Sequence, residues 1–341
     1  MPIGAVSTDA VQEAVCTDQA MRQESEPRPA GIDAHPTAEF DPLSAFDDDM
    51  FKSEAGRKAF SFRHELSGHP LFDLPSLIRL ADRLEKQDAV YWSTGNIGTS
   101  DRWEAGTEGR RPLMTTLENL DRNNSLVMLK SVVHDPIFGP VLRHTLERII
   151  DLSGPALEDD LIGVRATILI ASPHRITAYH IDAVLNFLMQ ISGKKLFRVY
   201  DPTDRTLLTS EELERYFAGD ANGAVFREER LKDAAVFAMD AGVGVHVPPM
   251  APHWAETGDD ISVAVSFNYD LHSIERAARI HKVNRRLRQL GLRPHPPGAG
   301  SAADRAKLAL YDAYAAGGRL WSKRPSGTDG SIWYPSRSYH H

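Results

Sequence analysis

The chain has 341 residues, 42% of them hydrophobic, and a formal net charge of −8. That length suits one large domain with appendages or two small ones, and the acidic balance makes nucleic acid an unlikely partner. The only cysteine is Cys16, which excludes an intrachain disulfide framework and fits a reducing compartment.

No apolar run approaches the length needed to cross a bilayer. Asp9, Glu13 and Asp18 stand where a signal peptide needs an apolar core. The expectation is a cytoplasmic protein with no membrane partner. Residues 1–50, rich in Ala, Pro, Asp, Glu and Thr, read as a disordered segment. Residues 51–159 read as an α/β extension. In it a helix begins near Leu71, with Pro75 in its first turn and Leu77, Ile78, Leu80, Ala81 and Leu84 at helical spacing. A short strand over 90–92, a helix over 113–120, a strand over 125–133 and a helix over 136–152 follow.

Residues 160–270 read as a strand-rich core. The run 161–170 leads through Ser172-Pro173 to Tyr179-His180-Ile181-Asp182. Further strands are expected over 184–191 and 195–200. Ser192-Gly193 between them suggests a two-residue hairpin that pairs Ile191 with Lys194 and Gln190 with Lys195. Residues 201–237 form a polar excursion, with Ser210 as cap of a short helix through Tyr216-Phe217. This insertion is either a wall of a substrate entrance or a plain surface loop. Val243, Val245 and Val247 lead to Pro248-Pro249 and His253-Trp254, and 261–269 is the last strand. Residues 271–318 hold two helices, near 274–290 and 302–316. The first carries an apolar stripe (Ile274, Ala277, Ile280, Val283, Leu287, Leu290) and a basic face read as solvated. The tail 319–341 has no clear period.

His180 and Asp182, two apart on a strand, point to the same side. A second histidine arriving from a distant strand, His253, completes two imidazoles and one carboxylate on one face of a metal, the ligand pattern of non-heme Fe(II) oxygenases. His246 is the second choice for that role, and His174 and His272 are further alternatives. Arg165 is read as facing solvent from an edge in preference to anchoring a carboxylate, and Trp254 as packing. Hairpin parity puts Lys195 on the face of His180 and Asp182. However, a straight strand from Asp182 to Gln190 spans roughly 26 Å. Lys195 can approach the metal only if the chain bends near 183–185.

Thr177-x-x-His180-x-Asp182, Asn186, Gly193-x-Lys195 and Pro249-x-x-x-His253 together resemble the JmjC and cupin-like 2-oxoglutarate oxygenases, in particular the asparaginyl hydroxylase branch acting on hypoxia-inducible factor. The resemblance covers about residues 160–270. It implies a mainly β protein with flanking helices, a double-stranded β-helix (jelly-roll or cupin) barrel with N- and C-terminal helical additions. It implies Fe(II) bound by His180, Asp182 and His253, and 2-oxoglutarate as co-substrate. Lys195 and Thr177 would hold its distal carboxylate, and Asn186 its metal-proximal end. On the last strand Ser266 takes the place of a family asparagine, with Asn268 two residues on. The implied activity is a dioxygenase, hydroxylase or demethylase, releasing succinate and CO2 from the co-substrate while oxidising a protein, peptide or small-molecule substrate. The C-terminal helices would form a homodimer interface. The competing reading is a non-catalytic cupin-type barrel that binds a ligand or a partner.

Overall fold

Helical spacing in the N-terminal part and period-two spacing after residue 160 sort the chain into helices that cover a sheet and strands that build a barrel. A computed structural model describes residues 41–43, 48–298, 302–319 and 332–333. Most of the expected disordered segment 1–50 and of the tail 319–341 lies outside the described residues.

The strands are β1 (Phe60–Arg63), β2 (Val90–Ser93), β3 (Leu126–Leu129), β4 (Leu161–Ala171), β5 (Ile176–His180), β6 (Leu185–Ser192), β7 (Lys195–Val199), β8 (Ala235–Met239), β9 (Val243–Val247), β10 (His253–Thr257), β11 (Ser262–Leu271) and β12 (Ile332–Trp333). The larger sheet runs β1-β9-β6-β11-β4-β3-β2, with β12 beside β4, and the smaller runs β5-β10-β7-β8. From β4 to β11 the chain passes repeatedly from one sheet to the other, so each turn contributes a strand to both. This is the double-stranded β-helix expected from the sequence. All pairings are antiparallel.

The helices are α1 (Asp48–Glu54), α2 (Leu74–Glu85), α3 (Leu113–Glu118), α4 (Gly139–Ser153), α5 (Pro155–Asp160), α6 (Ser210–Phe217), α7 (His272–Gln289) and α8 (Ala302–Arg319). The Asp73 side chain caps α2 by accepting from the Ser76 amide at 2.7 Å, with Pro75 in the first turn. Leu77, Leu80, Ala81 and Leu84 are buried on one stripe. Together with Val141, Leu142, Leu146 and Ile149 of α4 they join the core formed with Ile168 and Ile170 of β4 and Val265, Phe267 and Tyr269 of β11. Alternate residues of the same strands face into the barrel. One face of the large sheet thus holds the apolar core, and the other is left for chemistry.

Two local expectations need correction. Ser192-Gly193 does not close a hairpin, because β6 and β7 lie in different sheets. Lys195 pairs with Thr257 and Met239, not with Gln190. Gly193 has φ +68°, and a Cβ there would stand 2.5 Å from the Ile261 carbonyl oxygen, so a glycine is needed where the chain crosses between sheets. The cap of α6 is Thr209, not Ser210. Its hydroxyl accepts from the Glu212 amide, and the Glu212 carboxylate accepts from the Thr209 amide. The apolar stripe of α7 is used within the chain at Ile280 and Val283, which are buried, whereas Leu290 is 77% exposed. Arg288 of α7 donates to both carboxylate oxygens of buried Glu214 at 2.9 and 3.0 Å, tying α7 to α6.

Candidate active site

The bend expected after Asp182 is present. β5 ends at His180 in the small sheet, and β6 begins at Leu185 in the large one. Asp182 sits on the crossing, its carbonyl accepting from the Met250 amide at 2.8 Å. β10 begins at His253 directly opposite His180. One position of the ladder therefore brings together two imidazoles, with the carboxylate arriving from the turn.

Asp182 Oδ2 lies 3.7 Å from Nε2 of His180 and 3.7 Å from Nε2 of His253. One ligand atom from each residue falls within 4.8 Å of the others. The second nitrogen of each ring is already used. His180 Nδ1 is 2.8 Å from the Ala178 carbonyl oxygen, and His253 Nδ1 is 2.9 Å from that of Ala251. A carbonyl has no proton to give, so Nδ1 carries the hydrogen and the Nε2 lone pairs point to the common centre. Ligands bound at about 2.1 Å in adjacent positions stand about 3 Å apart. A contraction of less than an ångström in each Asp182–His pair would bring the carboxylate and both imidazoles to metal-ligand spacing. The residues fit a metal with open positions on its other side.

The electrostatics agree. Burial acts to raise Asp182, but His180, then His253 and Arg165, outweigh it and hold the carboxyl well below the usual range. Burial opposes protonation of His180, and Asp182 overcomes that and raises it. Burial, then repulsion from His180, pushes His253 down to about 4.

The three residues open into a cavity of about 1180 Å³ that also contains Thr177, Asn186 and Lys195. Lys195 Nζ has no hydrogen-bond acceptor among the described residues, and Lys195 is only 7% exposed. Desolvation alone lowers it to about 8. Lys195 stands four residues along β7 from Val199, the partner of His253. That is about 13 Å of strand, a gap that the lysine side chain and a short diacid together can fill. Thr177 and Phe197 both pair with Ala255, midway between metal centre and lysine.

Asn186 faces Asn268 across β6 and β11, donating from Nδ2 to Asn268 Oδ1 at 2.7 Å and to Ser266 Oγ at 2.5 Å. Both polar residues of the last strand, Ser266 and Asn268, therefore meet Asn186. Arg165 lines the cavity rather than solvent at an edge, and donates to Asp270. His246 is not a candidate ligand. Its Nε2 accepts from the Gly56 amide at 2.9 Å and its Nδ1 meets the Asn186 carbonyl at 2.9 Å, with Phe60 and Phe187 against the ring. His174 pairs with Asp259 away from the cavity, and Trp254 packs against Phe226 and under Arg198.

Nothing in the sequence marks Trp103 or Tyr216 as site residues, although Tyr216 falls in the helix expected there. The Trp103 ring lies 4.8 Å from that of His180 and stacks on Tyr91, and its amide donates to Asn222 of the 201–237 insertion. Tyr216 of α6 lines the cavity, and its hydroxyl accepts from the Ala183 amide at 3.2 Å. Trp103 sits in an irregular stretch with no period to mark it. Among the described residues no helix is long and apolar enough to cross a membrane.

Residues 109–274 match the cupin-like domain family, in keeping with the barrel and the resemblance drawn from its motifs. Among solved structures, the ribosomal oxygenase YcfD from Escherichia coli is similar at 15% identity over 80% of this chain and 67% of that one, with a TM-score of 0.43. YcfD in complex with cobalt and 2-oxoglutarate is similar at 14% identity over 78% of this chain and 65% of that one, with a TM-score of 0.45. The chain thus spans about two thirds of the length of those structures. No curated protein matches the sequence.

Proposed function

We propose that this protein is an Fe(II)- and 2-oxoglutarate-dependent dioxygenase that oxidises a C–H bond of a polypeptide substrate. One observation carries the reading: a two-histidine, one-carboxylate cluster and a buried lysine with no acceptor among the described residues face the same cavity. His180, Asp182 and His253 would hold the iron through two Nε2 atoms and one carboxylate oxygen. Lys195, supported by the Thr177 hydroxyl, would take the distal carboxylate of 2-oxoglutarate as a charge-assisted pair. Asn186, held by its hydrogen bonds to Asn268 and Ser266, would orient the metal-proximal end. When iron is bound, oxidation of the substrate is coupled to decarboxylation of 2-oxoglutarate to succinate and CO2. The chain's own contribution is to position these groups.

The choice of a polypeptide rests on the extent of the cavity. The cavity is about 1180 Å³, co-substrate space included, and is not confined to the metal centre. The lining continues past the metal centre along the inner face of β4 and β3 to Met128, Lys130 and His134. We assign the barrel to residues 160–270, with 51–159 and 271–318 as flanking additions. Either hydroxylation or demethylation would use the same centre. The test is succinate release from 2-oxoglutarate with and without added Fe(II). Release that requires iron in the wild type and is absent in His180→Ala supports the reading. Release that persists in His180→Ala overturns it.

A further inference from the structure

The inner face of the large sheet carries a charge pair that neither the metal ligands nor the co-substrate residues use. Arg165 on β4 donates from Nη1 to Asp270 on β11. In register Arg165 stands opposite Asn268 and Asp270 opposite Gly163, so the two charges are diagonal neighbours on one face. Their side chains remain 26% and 28% exposed, and both line the cavity together with Asp182. Holding the strands together does not explain the pair. β4 and β11 are already paired at ten positions, and a partly exposed ion pair adds at most about 1 kcal/mol.

The guanidinium is under-used. It offers a planar fork of N–H donors, and among the described residues only Nη1 has an acceptor. Its position also separates it from the co-substrate. The Lys195 end of the barrel is where Gly258 bonds to Lys194 and where Ser262 pairs with Ala171. Arg165 is six residues further along β4, about 20 Å away. A five-carbon diacid anchored on Lys195 and the metal centre does not reach it. Arg165 therefore faces the part of the cavity left for the second substrate.

We infer that Arg165 is a specificity-determining residue that takes a carboxylate carried by the substrate being oxidised, with Asp270 orienting the guanidinium. This inference rests on the oxygenase reading of the site. It predicts that the preferred substrate unit is an acidic side chain or another carboxylate-bearing group, not its uncharged amide.

The experiment compares two nearly isosteric probes, N-acetyl-aspartate methylamide and N-acetyl-asparagine methylamide. Their binding to the full chain is followed by NMR with Zn(II) at the metal centre and saturating 2-oxoglutarate, which closes the Lys195 subsite to either probe. The wild type should bind the carboxylate at least about tenfold more tightly, the worth of one charge-assisted hydrogen bond. Arg165→Gln should remove that preference. The exchanged variant, Arg165→Asp with Asp270→Arg, keeps an ion pair between the same strands while reversing its direction. It should melt near the wild type yet lose the preference. Equal or undetectable binding of the two probes by the wild type overturns the inference. So does a preference that survives in the exchanged variant, since the pair would then be structural. Succinate release by the wild type is measured separately. A carboxylate preference without iron-dependent succinate release would sink the oxygenase reading and leave the Arg165 site standing.

Discussion

Lys195 combines a cost to the fold with a proposed gain in binding, and both have a definite sign. Burial moves its titration from the ordinary 10.5 to about 8. The unfolded chain therefore binds a proton between those values that the folded chain does not. The resulting destabilisation is absent above about 10.5, grows as pH falls toward about 8, and is complete below that. At neutral pH it amounts to roughly 3 kcal/mol. Lys195→Met keeps most of the side-chain volume and removes the cation. It should stabilise the ligand-free protein by up to about 3 kcal/mol and raise Tm by several degrees. The same change removes the partner of the co-substrate carboxylate and should weaken 2-oxoglutarate binding by about 10- to 100-fold. Urea denaturation at pH 7 measures the first effect, and calorimetric titration of 2-oxoglutarate into the Zn(II)-loaded protein measures the second. If the variant is less stable than the wild type and binds 2-oxoglutarate within twofold of it, Lys195 is an ordinary structural lysine and the reasoning fails.

Three other residues give sharp outcomes. His246→Leu removes an imidazole bonded at both nitrogens and should cost about 2–4 kcal/mol in urea denaturation, with metal affinity unchanged. A loss of metal binding in the correctly folded variant would reinstate His246 as a ligand. Burial also holds His246 near 3 and His64 near 4, below the ordinary 6.5. Both stay neutral in the fold while the unfolded chain takes up protons below about 6.5. Their contribution is complete above that pH and is lost as pH falls toward about 4, so the urea midpoint should drop between pH 7 and pH 5. A midpoint constant over that interval would contradict the assignment. Trp103 lies 4.8 Å from the His180 ring, so Co(II) should quench its fluorescence, and Trp103→Phe should remove most of the quenching. Equal quenching in that variant would place the metal elsewhere.

What the sequence revealed depended on how local each signal was. The helical spacing of Leu77 to Leu84 and the first-turn Pro75 are contained in one turn or two, and α2 forms over them, starting at Leu74 and not near Leu71. His180-x-Asp182 was legible because two residues on one strand share a face whatever the rest of the chain does. Lys195 was reached by an argument that was half right. The bend after Asp182 is real, but the hairpin at Ser192-Gly193 is not, because strand parity cannot say that two neighbouring strands belong to different sheets. Arg165 was misplaced for a related reason. A charged residue in an apolar strand looks like an edge position unless the inner face of the barrel is known to be a cavity. That Ser266 and Asn268 both meet Asn186 follows only from the β6–β11 register. Trp103 lies on a segment without period, held by the Tyr179–Thr99 and Trp103–Asn222 hydrogen bonds, which no local pattern encodes.

The central claim is that His180, Asp182 and His253 form one metal centre. Titration of Fe(II) into the protein under anaerobic conditions, in the presence of 2-oxoglutarate, tests it most directly. The wild type should bind one Fe(II) per chain, and the His180→Ala, His253→Ala double variant should bind none at concentrations that saturate the wild type. Wild-type affinity in a folded double variant would contradict the claim.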